Sequence, residues 1–420
     1  MNDSPSKTAF DQSVTAFLTE HWHPTLTLRQ WWSCLGASGL AFPTWPRAWH
    51  GRDWPRQELG ACSRAFAAAG AIGAPTGLGT LMGGPVLLHH GNDEQRRRLL
   101  PPLVNGTEGW CQLFSEPGAG SDLASVSTRA ERDGDEWVIT GQKVWTSGAQ
   151  HSARGMLVAR TDADQPKHRG LTYFIIDMQQ PGVDIRPIKQ MNAKSHFSEV
   201  FFTEARVSDA DRISDVNGGW AVTLATLAFE RSGLSAADGV SGVRPAAGEQ
   251  AGLLEEQVGA LIEHARATAV VADDAGGQLA LLTHLACHLG RSEDTIVRQQ
   301  VAAAHSRQRI AGFTQQRGAA NSRAGRAGGP EASLAKLFWT EGLQRDRDLG
   351  TAVLGPHGML TGASTPSGGA VQHFALTIPS ARIAGGSDEI QHNIIGERVL
   401  GLPKDVGIDA EVPFRDLRRS

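Results

Sequence analysis

Residues 111–125 read CQLFSEPGAGSDLAS. An apolar entry passes into a loop of glycine, proline, acid and serine. Glycine lets the backbone approach a ligand closely and turn its amides inward. The hydroxyls of Ser115 and Ser121 can donate to ring carbonyls or phosphate oxygens. GAGSD is also a candidate start for a short helix with amide ends open to an anion. Alone, the loop reads equally well as a plain turn capped by Ser and Asp. It lacks the GxGxxG and Walker spacings, so nicotinamide and nucleoside-triphosphate folds are not indicated.

Working outward, the pattern differs on the two sides of this loop. Residues 1–109 read as helical, with apolar residues at helical spacing in FDQSVTAFLTEHW and TLTLRQWWSCLGASGLAF. NDEQRRRLLPPLVNG predicts a short helix capped at Asn92 or Asp93 and stopped by Pro101. From 110 to 217 short strand-like segments follow one another, among them EWVITGQKVWTSG, GLTYFIIDM and EVFFTEARV, as in a compact β-barrel or sandwich. From 218 to 420 the helical period returns in long amphipathic segments, as in a bundle. The expected class is α+β: an N-terminal helical domain (1–109), a middle β-domain (110–217) and a C-terminal four-helix bundle (218–420).

The chain of 420 residues carries a net charge of −4, which is no electrostatic match for nucleic acid. No apolar run is long enough to span a membrane. The start, MNDSPSKTAFDQ, lacks a basic segment followed by an apolar one, so no secretory leader is expected. Four cysteines without CxxC spacing fit a reducing cytoplasm rather than disulfides or structural zinc. The HWH at 21–23 and HH at 89–90 lack the companions of a metal site, and no metal is expected.

A second element follows the loop: GQKVWTSGA, residues 141–149. Trp145 followed by Thr146 and Ser147 offers a flat apolar face beside hydrogen-bond donors, which suits a planar conjugated ring. The competing reading makes Trp145 a core residue. With CQLFSEPGAGSD, with DGDEWVITGQKVWTSGA and with the C-terminal IAGGSDEIQHNIIGERVLGLP, the chain resembles the acyl-CoA dehydrogenase family in motif order and spacing along nearly its whole length. The resemblance implies FAD as cofactor, an acyl-CoA substrate, an electron-transfer flavoprotein as acceptor and a tetramer. It assigns Gln112, Phe114, Ser115, Gly120, Ser121, Trp145, Thr146 and Ser147 to the flavin and its phosphates, with Ser121 also near the thioester ligand. Ser387 and Glu389 fall to the adenine side.

Family chemistry removes a proton α to the thioester and a hydride from the β-carbon, and a buried carboxylate is a suitable base. Many members carry that glutamate in the C-terminal signature, where this chain has Gly385. A minority carry it on the first bundle helix before an arginine, where this chain has Glu230 and Arg231. At about 100° per residue, Glu230 lies about 60° from Leu227 and about 40° from Leu234, flanking an apolar stripe with Trp220 and Leu224. Arg231 matches a CoA contact; the alternatives are a half-exposed glutamate and an ordinary bundle salt bridge.

The usual RxxFG segment is not visible near LACHLGRSEDTIVRQQ, where Arg291 and Arg298 are the candidate substitutes. Ala352 and His392 also depart from commoner residues. These departures resemble a bacterial group of heteromeric pairs acting on bulky, ring-bearing or steroid-like acyl-CoAs. Dehydrogenation by Glu230 is the leading reading; a partner subunit completing a neighbour's site, or a related flavin oxidase or monooxygenase, are the others.

Overall fold

A computed structural model describes residues 9–236, 245–248, 252–269, 278–324, 331–360, 362, 365–404 and 411–417. Among the described residues five α-helices come first: α1 (Ala9–His21), α2 (Leu28–Ala37), α3 (Leu59–Ala69), α4 (Gly84–His90) and α5 (Asp93–Val104). Eight strands follow: β1 (Trp110–Leu113), β2 (Arg129–Asp133), β3 (Glu136–Ser147), β4 (Arg154–Arg160), β5 (Leu171–Asp177), β6 (Val183–Ile188), β7 (Phe197–Ser208) and β8 (Arg212–Ile213). Helices α6 (Gly219–Ala236), α7 (Val258–Ala269), α8 (Gln278–His288), α9 (Thr295–Arg323), α10 (Glu331–Leu354), α11 (Ala370–Ile383) and α12 (Asp388–Ile394) complete the order.

Contacts divide the chain into one unit of Met1–Lys189, Ser195–Ala265 and Gly407–Ser420, and another of Gln190–Lys194 and Arg266–Val406. In the first unit the strands form one sheet in the order β6-β7-β3-β2-β4-β5-β8, with β1 added parallel to β4. Strands β1, β4 and β5 are covered on both faces. Trp110, Phe114, Met156, Val158, Tyr173 and Ile175 join the core shared with α1–α6. The intervening Cys111, Leu113, Leu157, Phe174 and Ile176 fill a second core on the opposite face. Double burial is why GMLVA and LTYFII read as nearly unbroken apolar runs. In the second unit α10 packs against α8, α9, α11 and α12.

Two readings of the sequence need correction. Pro101 does not stop α5, which continues through Pro101 and Pro102 to Val104. An internal proline costs roughly 3 kcal/mol, but Leu99, Leu100, Leu103 and Val104 are all buried here. At about 1.5–3 kcal/mol for each large apolar side chain, that burial outweighs the two lost N–H groups. On α6, Leu224 is 48% exposed, and the buried face holds Val222, Thr223 and Thr226 instead. Each threonine donates to the carbonyl four residues back (Gly219 O at 2.8 Å, Val222 O at 2.8 Å), so its methyl packs as an apolar group with the hydroxyl already satisfied.

Between α3 and α4 the chain makes one wide π-turn, Gly79–Gly83. It brings bare backbone against the first residue of β1: a Cβ at Gly83 would lie 2.7 Å from Cε3 and 2.9 Å from Cζ3 of Trp110. We expect Gly83→Ala to cost about 1–3 kcal/mol through overpacking, measured by thermal or urea unfolding. An unchanged midpoint would show that this helix–strand contact does not need glycine.

Candidate active site

The quoted loop is an extended turn rather than a helix start. Glu116 and Ala119 exchange backbone hydrogen bonds (2.9 and 3.0 Å), and only Leu123–Ser125 forms a single 3-10 turn. Gly120 and Ser121 are exposed at its tip. The loop is fixed by a buried ion pair that the motif reading did not single out. Lys143 Nζ lies 2.8 Å from Glu116 Oε1 and donates to Phe114 O at 2.9 Å. Glu116 also accepts from Ser127 N (2.6 Å), Ser127 Oγ (2.8 Å) and Thr128 N (2.9 Å). Arg160 grips the far end of the loop through Ala124 O (2.6 Å) and Val126 O (3.1 Å). A signal was available: Lys143 shares the inward register of β3 with Trp137 and Ile139. A buried ammonium requires an acid nearby.

Burial alone would raise the Glu116 carboxyl. The Lys143 charge and the converging donors overcome that and hold it at about 2, below its ordinary 4.5. Burial depresses the Lys143 ammonium, against the pull of Glu116.

Beside this clamp β3 carries a register shift between Lys143 and Thr146. Trp145 sits in it with φ +60° and is 58% exposed. The core reading of Trp145 is therefore overturned: the bulge turns the ring outward, edge-on to Phe197 at 6.0 Å. A bulky residue in left-handed backbone costs roughly 1–2 kcal/mol, a strain associated with functional positions. The next residue, Thr146, is fully buried, and its Oγ1 has no hydrogen-bond partner among the described residues. Val144 N donates to Ser115 O at 2.9 Å, tying the loop to the bulge.

Glu230 lies on α6 and is half-buried. Gln112 Nε2 donates to its Oε2 at 3.4 Å. One turn earlier on the same helix face, Thr226 Oγ1 lies 3.2 Å from the Tyr173 hydroxyl, which donates to it because the threonine proton already goes to Val222 O. Tyr173 in turn meets Phe114 edge-on at 6.0 Å. Strand β1 thus supplies Gln112, the residue just past its end supplies Phe114, β5 supplies Tyr173, and the helix brings its carboxylate to the same place. Burial raises the Tyr173 hydroxyl well above its usual range, so it stays neutral as a hydrogen-bond partner. The side chain of Arg231 lies outside the described residues.

Ser387 and Glu389 belong to the other unit. Ser387 caps α12, its hydroxyl accepting from Ile390 N at 3.4 Å, and Glu389 is exposed in the first turn. Between them Asp388, which the reading passed over, is buried against Arg382 (2.6 Å), Thr340 (2.8 Å) and Lys336 (3.3 Å). Gly385 has φ +66°, where glycine carries no strain and a glutamate would. Arg291 is engaged locally with Asp294 at 2.7 Å.

Lys143→Met should cost about 3–5 kcal/mol by leaving Glu116 buried without its counter-charge. Glu116→Gln in the same chain should recover part of that loss, measured by chemical unfolding. Because the folded Glu116 value is depressed, its stabilising contribution is complete above about pH 4.5. It disappears as the pH falls toward about 2. Limited proteolysis at 111–128 across that window should accelerate in the wild type and show a weaker pH dependence in Glu116→Gln.

Three domain families match the chain in series: acyl-CoA dehydrogenase N-terminal domain over residues 4–107, middle domain over 111–205 and C-terminal domain over 217–400. Acyl-CoA dehydrogenase IpdE1 of Mycobacterium tuberculosis is 37% identical over 383 residues, covering 90% of this chain and 88% of that protein. IpdE1 of Mycolicibacterium smegmatis is 35% identical, covering 90% and 89%. The solved Tcur3481-Tcur3483 steroid ACAD shares the fold with TM-score 0.68 and 23% identity, over 96% of this chain and 99% of that one. The ChsE4-ChsE5 complex from Mycobacterium tuberculosis gives TM-score 0.64 and 26% identity, over 96% and 100%. With all three domains matched in order and relatives above one-third identity along nine-tenths of its length, the chain belongs to the acyl-CoA dehydrogenase family.

Proposed function

We propose that the protein is an FAD-dependent dehydrogenase that forms the α,β double bond of an acyl-CoA thioester, with Glu230 as the base. The observation that carries this reading is the meeting of Gln112 and Glu230 at 3.4 Å beside the clamped loop. Glu230 is half-buried, so its carboxylate is partly shielded from water yet reachable by a ligand. Gln112 Nε2 orients the carboxylate, while Thr226 and Tyr173 seat the helix that carries it. Glu230 takes the α-proton and holds it on its carboxyl.

The residues beside it fit a flat heteroaromatic group. Trp145 offers an exposed ring, the unpartnered Thr146 Oγ1 offers a buried hydrogen bond, and Ser115 and Ser147 stand on the two segments joined by the Val144–Ser115 bond. Gln112, Phe114, Gly120 and Ser121 complete the set on the loop side. FAD bound there would supply the acceptor for the hydride leaving the β-carbon, with an electron-transfer flavoprotein as the next acceptor. Ser387 and Glu389 are proposed for the adenine end and Arg231 for the CoA moiety. The substrate is proposed to carry a bulky or ring-bearing acyl group. The assembly is proposed to be a tetramer, with a related subunit as the favoured partner because the similar solved proteins are named as pairs. Ile310, Phe313 and Trp339, half exposed on α9 and α10, are apolar surface of the kind that assembly covers.

The purified protein should be yellow and should bleach anaerobically when mixed with a suitable acyl-CoA. Glu230→Gln should keep the colour and lower the bleaching rate by at least about 10²–10⁴-fold, followed by stopped-flow absorbance. Undiminished bleaching in that variant would remove Glu230 from the role of base.

A further inference from the structure

Residues 411–417 lie beyond the family match at 217–400 and belong to the first unit. They run along the connection between β4 and β5. Phe414 N donates to Gln165 O at 2.9 Å, Arg415 N donates to Ala163 O at 3.0 Å, and Pro413 bridges to Pro166. Arg415 pairs with Asp164, and Arg169 with Glu411 at 3.3 Å, on the exposed margin. Exposed pairs of this kind contribute little. The side chain this segment buries is Phe414, 8% exposed.

Phe414 lies on Arg160. The guanidinium carbon stands 3.5 Å from the ring centroid, so the ring covers one face of the planar fork. Carbonyls take the edges of the fork: Nη2 donates to Ala124 O (2.6 Å), Nε to Val126 O (3.1 Å) and Nη1 to Lys167 O (3.2 Å). Arg160 is 4% exposed, and burial pulls its guanidinium down to about 10, against the fields of Glu116 and Asp162. A desolvated cation gains more from a ring face than one in water. A second tie comes from the same connection. Lys167 Nζ donates to Asp122 Oδ2 at 2.7 Å, and Ser125 Oγ donates to the same oxygen at 2.5 Å. The stretch 122–126 directly follows Gly120 and Ser121. It is held by Arg160 and Lys167, and the C-terminal segment packs on Arg160 and on residues 163–166.

We propose that residues 411–417 are a latch on the 111–125 loop, with Phe414 as its positioning residue. The ring fixes the Arg160 fork, and the fork fixes the end of the loop that presents Gly120 and Ser121. The inference rests on the dehydrogenase reading for the ligand served, FAD, and adds to that reading a residue outside its motifs.

The test compares the wild-type chain with Phe414→Leu, which keeps apolar cover without a ring face, and with Phe414→Tyr, which keeps the ring. Two rates are read well below the unfolding midpoint: limited proteolysis within 111–128, and flavin release, followed by the rise in flavin fluorescence. Phe414→Leu should raise both about tenfold, and Phe414→Tyr should stay near wild type. In an Arg160→Lys background Phe414→Leu should add little, because its route to the loop is already cut. Its full effect in that background overturns the proposal. So does a lowered midpoint with unchanged loop cleavage, which makes Phe414 ordinary packing, and so does faster cleavage with unchanged flavin release. If leucine prevents folding, Phe414→Met takes its place. Wild-type protein that binds no FAD, with faster loop cleavage in Phe414→Leu, keeps the latch and rejects the flavin reading. Acyl-CoA bleaching in the wild type, with neither rate responding at Phe414, does the reverse.

Discussion

The buried pair of Glu116 and Lys143 is the constraint on which the site depends. A carboxylate and an ammonium removed from water lose several kcal/mol of solvation each. They remain charged here because both carboxylate oxygens and two of the three ammonium protons are engaged: Glu116 receives Lys143, Ser127 and Thr128, while Lys143 also bonds to Phe114 O. These bonds join both ends of the loop to β3. The same strand, two residues beyond Lys143, turns Trp145 outward. One electrostatic clamp thus sets the loop and the exposed ring relative to each other, and β1 leads directly from it to Gln112.

On the opposite side the carboxylate of Glu230 comes from a helix rather than from the loop. Its seat is a short relay of packed groups: Phe114 against Tyr173, Tyr173 to Thr226, and one helical turn to Glu230. Glu230 and the loop are held by separate elements that share β1. A change in the loop need not unseat the helix, and a change on the helix need not loosen the loop.

Much of the order of elements was legible in the sequence because periodicity changes sharply near Trp110 and again near Gly219. What escaped depended on contacts far apart along the chain. Pro101 is an ordinary helix stop by local rules, and only the burial of Leu99, Leu100, Leu103 and Val104 overrides it. Leu224 is a natural stripe residue on a helical wheel, yet Thr223 and Thr226 take the inward face because their hydroxyls are satisfied within the helix. Gln112 and Glu230 were both legible as candidates, from motif likeness. Their meeting was not, since 118 residues separate them. Lys143 and Glu116 were quoted within motifs without a role, because pairing across a sheet cannot be read from one strand.

Tyr173 is the only tyrosine among the 420 residues, and it stands in the relay beneath the helix that bears Glu230. Whatever observable belongs to a phenol (a fluorinated label, a ring resonance, an ultraviolet difference band) therefore originates from a single address in the chain. The molecule contains its own reporter, located where seating of the helix would be felt first and silent about the remainder of the chain.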